Sequence, residues 1–276
     1  MKTDFPLEIG SVVHTQEKTP FTVYIDHEKC GMVPACPEFN GTLFPSGVGK
    51  GVRAGMKNLS EREMDIYLKP TFAIESDHEA IVKVAKDLTA DCTTDEERVT
   101  KLFYFVRDSI RYNLFMISVF IEDFRASKVL EWGKGYCVQK AVLLTALGRA
   151  AGIPSRMAFA MIRNHRVPEH IVQKMGDNTF PRHGYNQFFL NGRWVNATAT
   201  FDRILCEKNG LPTVEFDGTK DSILSPTDLA GNPYIEYVEK FPPRDDLPFD
   251  WIEEIITKRL GAEKRPWLEK GTGQTL

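Results

Sequence analysis

From Val138 to Ala150 the chain carries Val138, Ala141, Val142, Leu143, Leu144, Ala146, Leu147 and Ala150. At helical spacing these side chains point in nearly every direction, so the helix they form must be surrounded by other elements. Gly152-Ile153-Pro154 ends it. A length of 276 residues allows one to two domains and a core large enough to enclose such a helix. With 42% hydrophobic and 26% charged residues the chain is globular, which excludes disorder for the whole chain. No apolar run approaches the roughly 18 to 20 residues of a membrane span. The 35 basic and 38 acidic residues are interspersed, which argues against a nucleic-acid-wrapping surface. Five cysteines, at 30, 36, 92, 137 and 206, are odd in number and widely spaced, so a reduced state is expected. The first residues, Met-Lys-Thr-Asp-Phe-Pro, carry no apolar leader, and a soluble, cytoplasmic protein is expected.

Around this helix the pattern predicts three regions. Residues 1–70 read as an irregular β-rich segment with a strand at Phe21–Ile25, residues 71–205 as the core, and residues 206–276 as a loop-rich extension with a helix near Trp251–Leu260. Capping boxes at Ser76/Glu79 and Thr94/Glu97 predict two helices, followed by an extended piece at Tyr112–Phe120. Arg156–Met161 reads as a strand. Tyr185–Leu190 and Arg193–Thr198 flank Asn191-Gly192, the strongest short hairpin signal.

Gly133-Lys134-Gly135-Tyr136-Cys137 leads directly into the buried helix. Free N–H groups and the helix dipole favour an anion there, so a thiolate at Cys137 is expected below its free pKa of about 8.5. The same N–H groups are placed to hold an oxyanion. Tyr136 and Gln139 flank the thiol and Trp132 lies just upstream; with Tyr185 they are candidate substrate contacts, although local packing explains each equally simply.

The run from Gly135 to Arg156 resembles the core of the transglutaminase-like superfamily, as do Phe105–Tyr112 upstream and His183 ahead of a hairpin bearing Gly192-x-Trp194. The resemblance spans residues 72 to 205. It implies an α+β fold of papain-like type, a nucleophile helix on an antiparallel sheet, with Cys137 as nucleophile and His183 as base. The family's aspartate falls at Thr198, a departure. Leu205-Cys206-Glu207 and Glu215–Gly218 resemble a bacterial group in which that threonine recurs.

Hairpin geometry keeps the orienter of His183 open. With Asn191-Gly192 as the turn, Tyr185 pairs with Thr198 and His183 with Thr200, so Thr198 and Asp202 are both diagonal neighbours of His183, about 7 to 8 Å away. Thr198 would fix a tautomer without charge; Asp202 would add charge if the ladder continued beyond Thr200.

His27, Cys30 and Cys36 lack zinc spacing, and Asp217–Asp221 lacks a calcium loop's terminal Glu, so no metal or other cofactor is expected. His165 and His170 lie in a polar segment that could border the cleft. The residues point to thiol acyl chemistry on a peptide-like amide or isopeptide bond, ending in hydrolysis or acyl transfer. The alternative is a non-catalytic peptide-binding module of the same fold. Neither nucleic acid nor membrane is an expected partner.

Overall fold

The computed structural model describes residues 64–261. The expected strand at Phe21–Ile25, the His27/Cys30/Cys36 group and nearly all of the amino-terminal segment lie outside them. Seven α-helices and six strands follow in the described residues. They are α1 (Glu79–Thr89), α2 (Asp95–Ser109), β1 (Arg111–Tyr112), α3 (Ala126–Trp132), β2 (Lys134–Gly135), α4 (Cys137–Ala150), β3 (Ser155–Asn164), α5 (Glu169–Met175), β4 (Thr179–Leu190), β5 (Arg193–Ala197), α6 (Arg203–Asn209), β6 (Ile235–Arg244) and α7 (Phe249–Leu260). The class is α+β: β5-β4-β3-β6 form one antiparallel sheet, and β1-β2 a short parallel pair.

Helix α4 is the centre. Every residue from Cys137 to Arg149 is buried, as an all-round apolar helix requires. One side packs on β4 and β3, the others on α1, α2 and α3. Close approach to the sheet depends on two glycines. A Cβ on Gly148 would come within 2.7 Å of the Phe188 ring, and one on Gly184 within 3.1 Å of the Val138 Cα. Asn186 of β4 ties the layers together by donating to the Ala141 carbonyl and Thr145 Oγ1, both at 2.8 Å.

The hairpin follows the predicted register, with Leu190 opposite Arg193, Phe189 opposite Trp194 and Asn186 opposite Ala197. Asn191 and Gly192 both have positive φ, as a type I′ turn needs. Pairing then stops. Beyond Ala197 the chain turns to Ser222, whose carbonyl accepts the Thr198 N–H, so the ladder does not reach Thr200.

Other expectations are corrected. The Thr94/Glu97 box forms, but α1 is capped by His78, whose Nδ1 accepts the Ala80 N–H, rather than by Ser76. Tyr112–Phe120 is extended only at its start and then coils into a 3-10 turn over Leu114–Met116. The segment after His165 contains α5. The expected carboxy-terminal extension holds α6 and also β6, an edge strand of the main sheet against β3, so it is built into the core architecture. Among the described residues no helix is long and apolar enough to cross a membrane.

Candidate active site

Cys137 is the first residue of α4, and its thiol lies within reach of three backbone N–H groups: its own, that of Val138 and that of Gly184. The Gly184 contact joins the helix start to β4, directly beside His183. Burial opposes the anion more strongly than these N–H groups favour it, and the thiol is pushed up to about 11. The thiolate expected from the helix terminus is therefore not the resting form; with only 7% of its surface exposed, Cys137 rests as a thiol near neutral pH.

His183 is 2% exposed, and burial alone pushes its imidazole down to about 3. Its Nε2 is buried without a hydrogen-bond partner. Tyr185 stacks near it at 6.1 Å between ring centroids, and Tyr237 of β6 stands edge-on at 6.4 Å. A neutral imidazole with an open nitrogen is a proton acceptor in waiting.

Neither expected orienter holds this ring. Thr198 is buried, and its Oγ1 interacts with the Tyr237 phenol of β6. Asp202 is the N-cap of α6. It accepts the Leu205 N–H at 3.1 Å and the Tyr112 N–H at 2.9 Å, and lies 3.4 Å from Arg111. The carboxylate is occupied in joining α6 to β1, because the strand pairing that would carry it to His183 ends at Ala197.

The substrate candidates divide similarly. Tyr136 lines the main cleft beside Cys137, and its hydroxyl is buried without a partner. Tyr185 lines a smaller recess with Cys137, Lys140 and Gly184. Gln139 is a correction: it is fully buried, accepting the Tyr136 N–H and donating to the Asp123 carbonyl, so it secures the helix start and offers nothing to a ligand. Trp132 sits half-buried at the end of α3 and does not line the main cleft. His165 faces Glu236 at 3.5 Å.

The main cleft, beside Cys137, spans about 630 Å³ including its open mouth. Leu114, Ile117, Met175 and Phe180 line it, together with Ile252, Ile255 and Ile256 of α7. Arg182 and Arg259 are its charged lining residues. Sequence reasoning found α7 as an amphipathic helix but could not tell where its apolar face docks. One turn into α4, Lys140 donates to the Arg107 and Ile110 carbonyls at 3.1 and 2.7 Å, tying the end of α2 to the nucleophile helix. Burial pushes its ammonium down to about 7.

Residues 82–199 match the model of the transglutaminase-like superfamily. Among solved structures, a candidate cysteine protease of Cytophaga hutchinsonii is similar at 17% identity and a TM-score of 0.40, over 66% of this chain and 54% of that one. A candidate protease of Parabacteroides distasonis is 16% identical with a TM-score of 0.33, over 50% of this chain and 25% of that one. A TGase is 12% identical with a TM-score of 0.29, over 55% of this chain and 36% of that one. This chain thus spans about half the length of the first of them and less of the others. No curated protein matches. Residues 82–199, holding α4, β3, β4 and the hairpin, are a transglutaminase-like core.

Proposed function

We propose that this chain is a cysteine-dependent enzyme acting on the carbonyl of a peptide-like amide or isopeptide bond. The observation that carries the reading is the Cys137 thiol at the start of α4, opening on an apolar cleft and joined through Gly184 to a buried, neutral His183 with an unoccupied Nε2.

His183 takes the thiol proton as the sulfur–carbon bond forms, so no standing thiolate is needed. Helix-start N–H groups and the orphaned Tyr136 hydroxyl are the donors for the tetrahedral oxyanion. As that intermediate collapses, the carbon–nitrogen bond breaks and His183 returns its proton to the departing amine, leaving a thioester. Water or a second amine attacks the thioester and gives a proton to His183, which passes it to the departing sulfur as the carbon–sulfur bond breaks, releasing the thiol with an acid or a new amide. Tyr185 and Tyr237 confine the imidazole in place of a carboxylate.

The test is an activated ester, 4-nitrophenyl acetate, followed by peptide mass analysis with and without an amine. Acetylation confined to the Cys137 peptide, lost in Cys137→Ala and slowed about 100-fold or more in His183→Ala, supports the reading. The raised pKa of the thiol favours the rival, a peptide-binding module that keeps the fold without turnover. Acetylation spread over several cysteines, or none, favours that rival.

A further inference from the structure

Helix α7 lies beyond residues 82–199, the stretch that matches the transglutaminase-like core, yet it contributes to the cleft on which Cys137 opens. Ile252, Ile255 and Ile256 are spaced i, i+3 and i+4, so they share one face of the helix, and all three line that cleft. Trp251 packs on the sheet instead. It stands edge-on to Phe159 of β3 at 5.4 Å and to Phe241 of β6 at 5.1 Å, with the Arg182 guanidinium 3.7 Å over its ring. In the first turn of α7, Phe249 meets the Phe124 ring at 5.4 Å; in the last, Arg259 donates to the Thr179 carbonyl at 2.8 Å. The helix is thus held to the core from end to end. Its isoleucines, stiff about χ1, present a surface of fixed shape.

The surface exposed in the cleft is almost wholly apolar. Its two arginines are engaged elsewhere: Arg259 stands 3.4 Å from Asp177 besides its bond to Thr179, and Arg182 stacks on Trp251, donates to the Pro181 carbonyl at 3.1 Å and has its Nε buried. A charged group brought into this space would exchange water for contact with carbon. The thiol belongs to the same lining. In a thioester mechanism the acyl half stays on sulfur while the amine departs and a new nucleophile enters, so it needs room continuous with the thiol through both steps. The other recess bordering Cys137, shared with Lys140, Asn186 and Thr200, is far smaller, about 140 Å³.

We infer that the main cleft is the acyl pocket, that it takes an uncharged, bulky aliphatic or aromatic group beside the scissile carbonyl, and that α7 sets this preference. This deepens the reading of Cys137 as nucleophile and rests on it. Each methylene of an acyl chain buried against Leu114, Ile117, Phe180 and the α7 isoleucines adds about fourfold to kcat/KM when the transition state keeps the contact. Ile255, half-buried in α7, is the specificity residue most open to substitution.

The experiment measures kcat/KM of the full chain for 4-nitrophenyl acetate, hexanoate and hydrogen adipate, each normalised to its own alkaline hydrolysis and corrected for the rate left in Cys137→Ala. The hexanoate is four methylenes longer than the acetate, and the adipate matches the hexanoate with a carboxylate at its end. Hexanoate at least about tenfold above both supports the inference. Cys137-dependent turnover in which acetate or adipate equals hexanoate overturns the apolar pocket alone, and needs no variant to fold. Ile255→Asp tests α7: a hexanoate-to-acetate ratio reduced about fivefold or more supports its role. An unchanged ratio, with or without a general loss of rate, overturns that role, because the helix then only supports the fold. Failure of every ester to acylate Cys137 overturns the nucleophile reading and the inference with it.

Discussion

The Cys137 thiol lies against the backbone N–H of Gly184, so the nucleophile helix and the histidine strand meet where β4 carries no side chain. A Cβ at Gly184 would stand 3.1 Å from the Val138 Cα and 3.2 Å from its Cγ2, and the start of α4 would have to move. Gly184→Ala is expected to destabilise the fold by about 1 to 3 kcal/mol. It should lower kcat for an ester probe more than about tenfold, because small misplacements of reacting groups are costly. Thermal melts alongside steady-state kinetics separate the two effects.

With the thiol pushed up to about 11, alkylation of Cys137 by iodoacetamide should accelerate close to tenfold per pH unit from pH 7 to 10. Mass analysis of the Cys137 peptide over time gives the profile. A plateau beginning near pH 7 would show that a thiolate is already present.

Thr198 occupies the position of the family's acid, but its Oγ1 interacts with the Tyr237 phenol. Thr198→Val should therefore leave ester turnover within about twofold and stability within about 1 kcal/mol. Thr198→Asp places a carboxylate on the histidine's side of the hairpin, which favours the imidazolium and should lower the apparent pKa of Cys137 alkylation by about one unit or more. A tenfold loss of turnover in Thr198→Val would restore this threonine as the orienter.

Asp202 is expected to report on stability. Asp202→Ala leaves the buried Tyr112 and Leu205 N–H groups without an acceptor and should cost about 2 to 4 kcal/mol, read by urea unfolding. The pH dependence of turnover in the folded fraction should not change. A shifted pH profile would return this carboxylate to the histidine.

Burial keeps His183 neutral down to about 3, whereas an unfolded histidine titrates near about 6.5. Below that pH the unfolded chain binds a proton that the native state refuses, so stability is lost as the solution is acidified, by about 1.4 kcal/mol per unit. Between pH 7 and pH 5, wild type should lose about 2 kcal/mol more than His183→Phe in urea titrations. Equal losses would mean that the native imidazole protonates at its ordinary pKa.

The central helix, the hairpin register and the pairing of a helix-initial cysteine with a strand histidine could be read from residues alone, because each is set by local spacing or by burial on all sides. The orienter could not. Whether Asp202 reaches His183 depends on where the ladder stops, and that is decided by Ser222, 25 residues beyond Ala197 in the chain. β6 escaped notice because Pro242 and Pro243 and a charged face hide its alternation, and with it went Tyr237 beside the imidazole. Arg182 carried no signal in sequence. Its place is set by Trp251 of α7, which packs under it from across the fold.

The outer side of β6 has a consequence for how the molecule behaves in a crowded solution. Glu236, Glu239 and Lys240 are exposed along that border of the sheet, and Pro242 and Pro243 have no N–H to offer. A neighbouring molecule looking for a strand to extend finds charge where it needs a flat apolar ribbon, and missing donors where it needs bonds. The same prolines that disguise the strand make it a poor template for another copy, and among the described residues the sheet that carries the histidine terminates at β6.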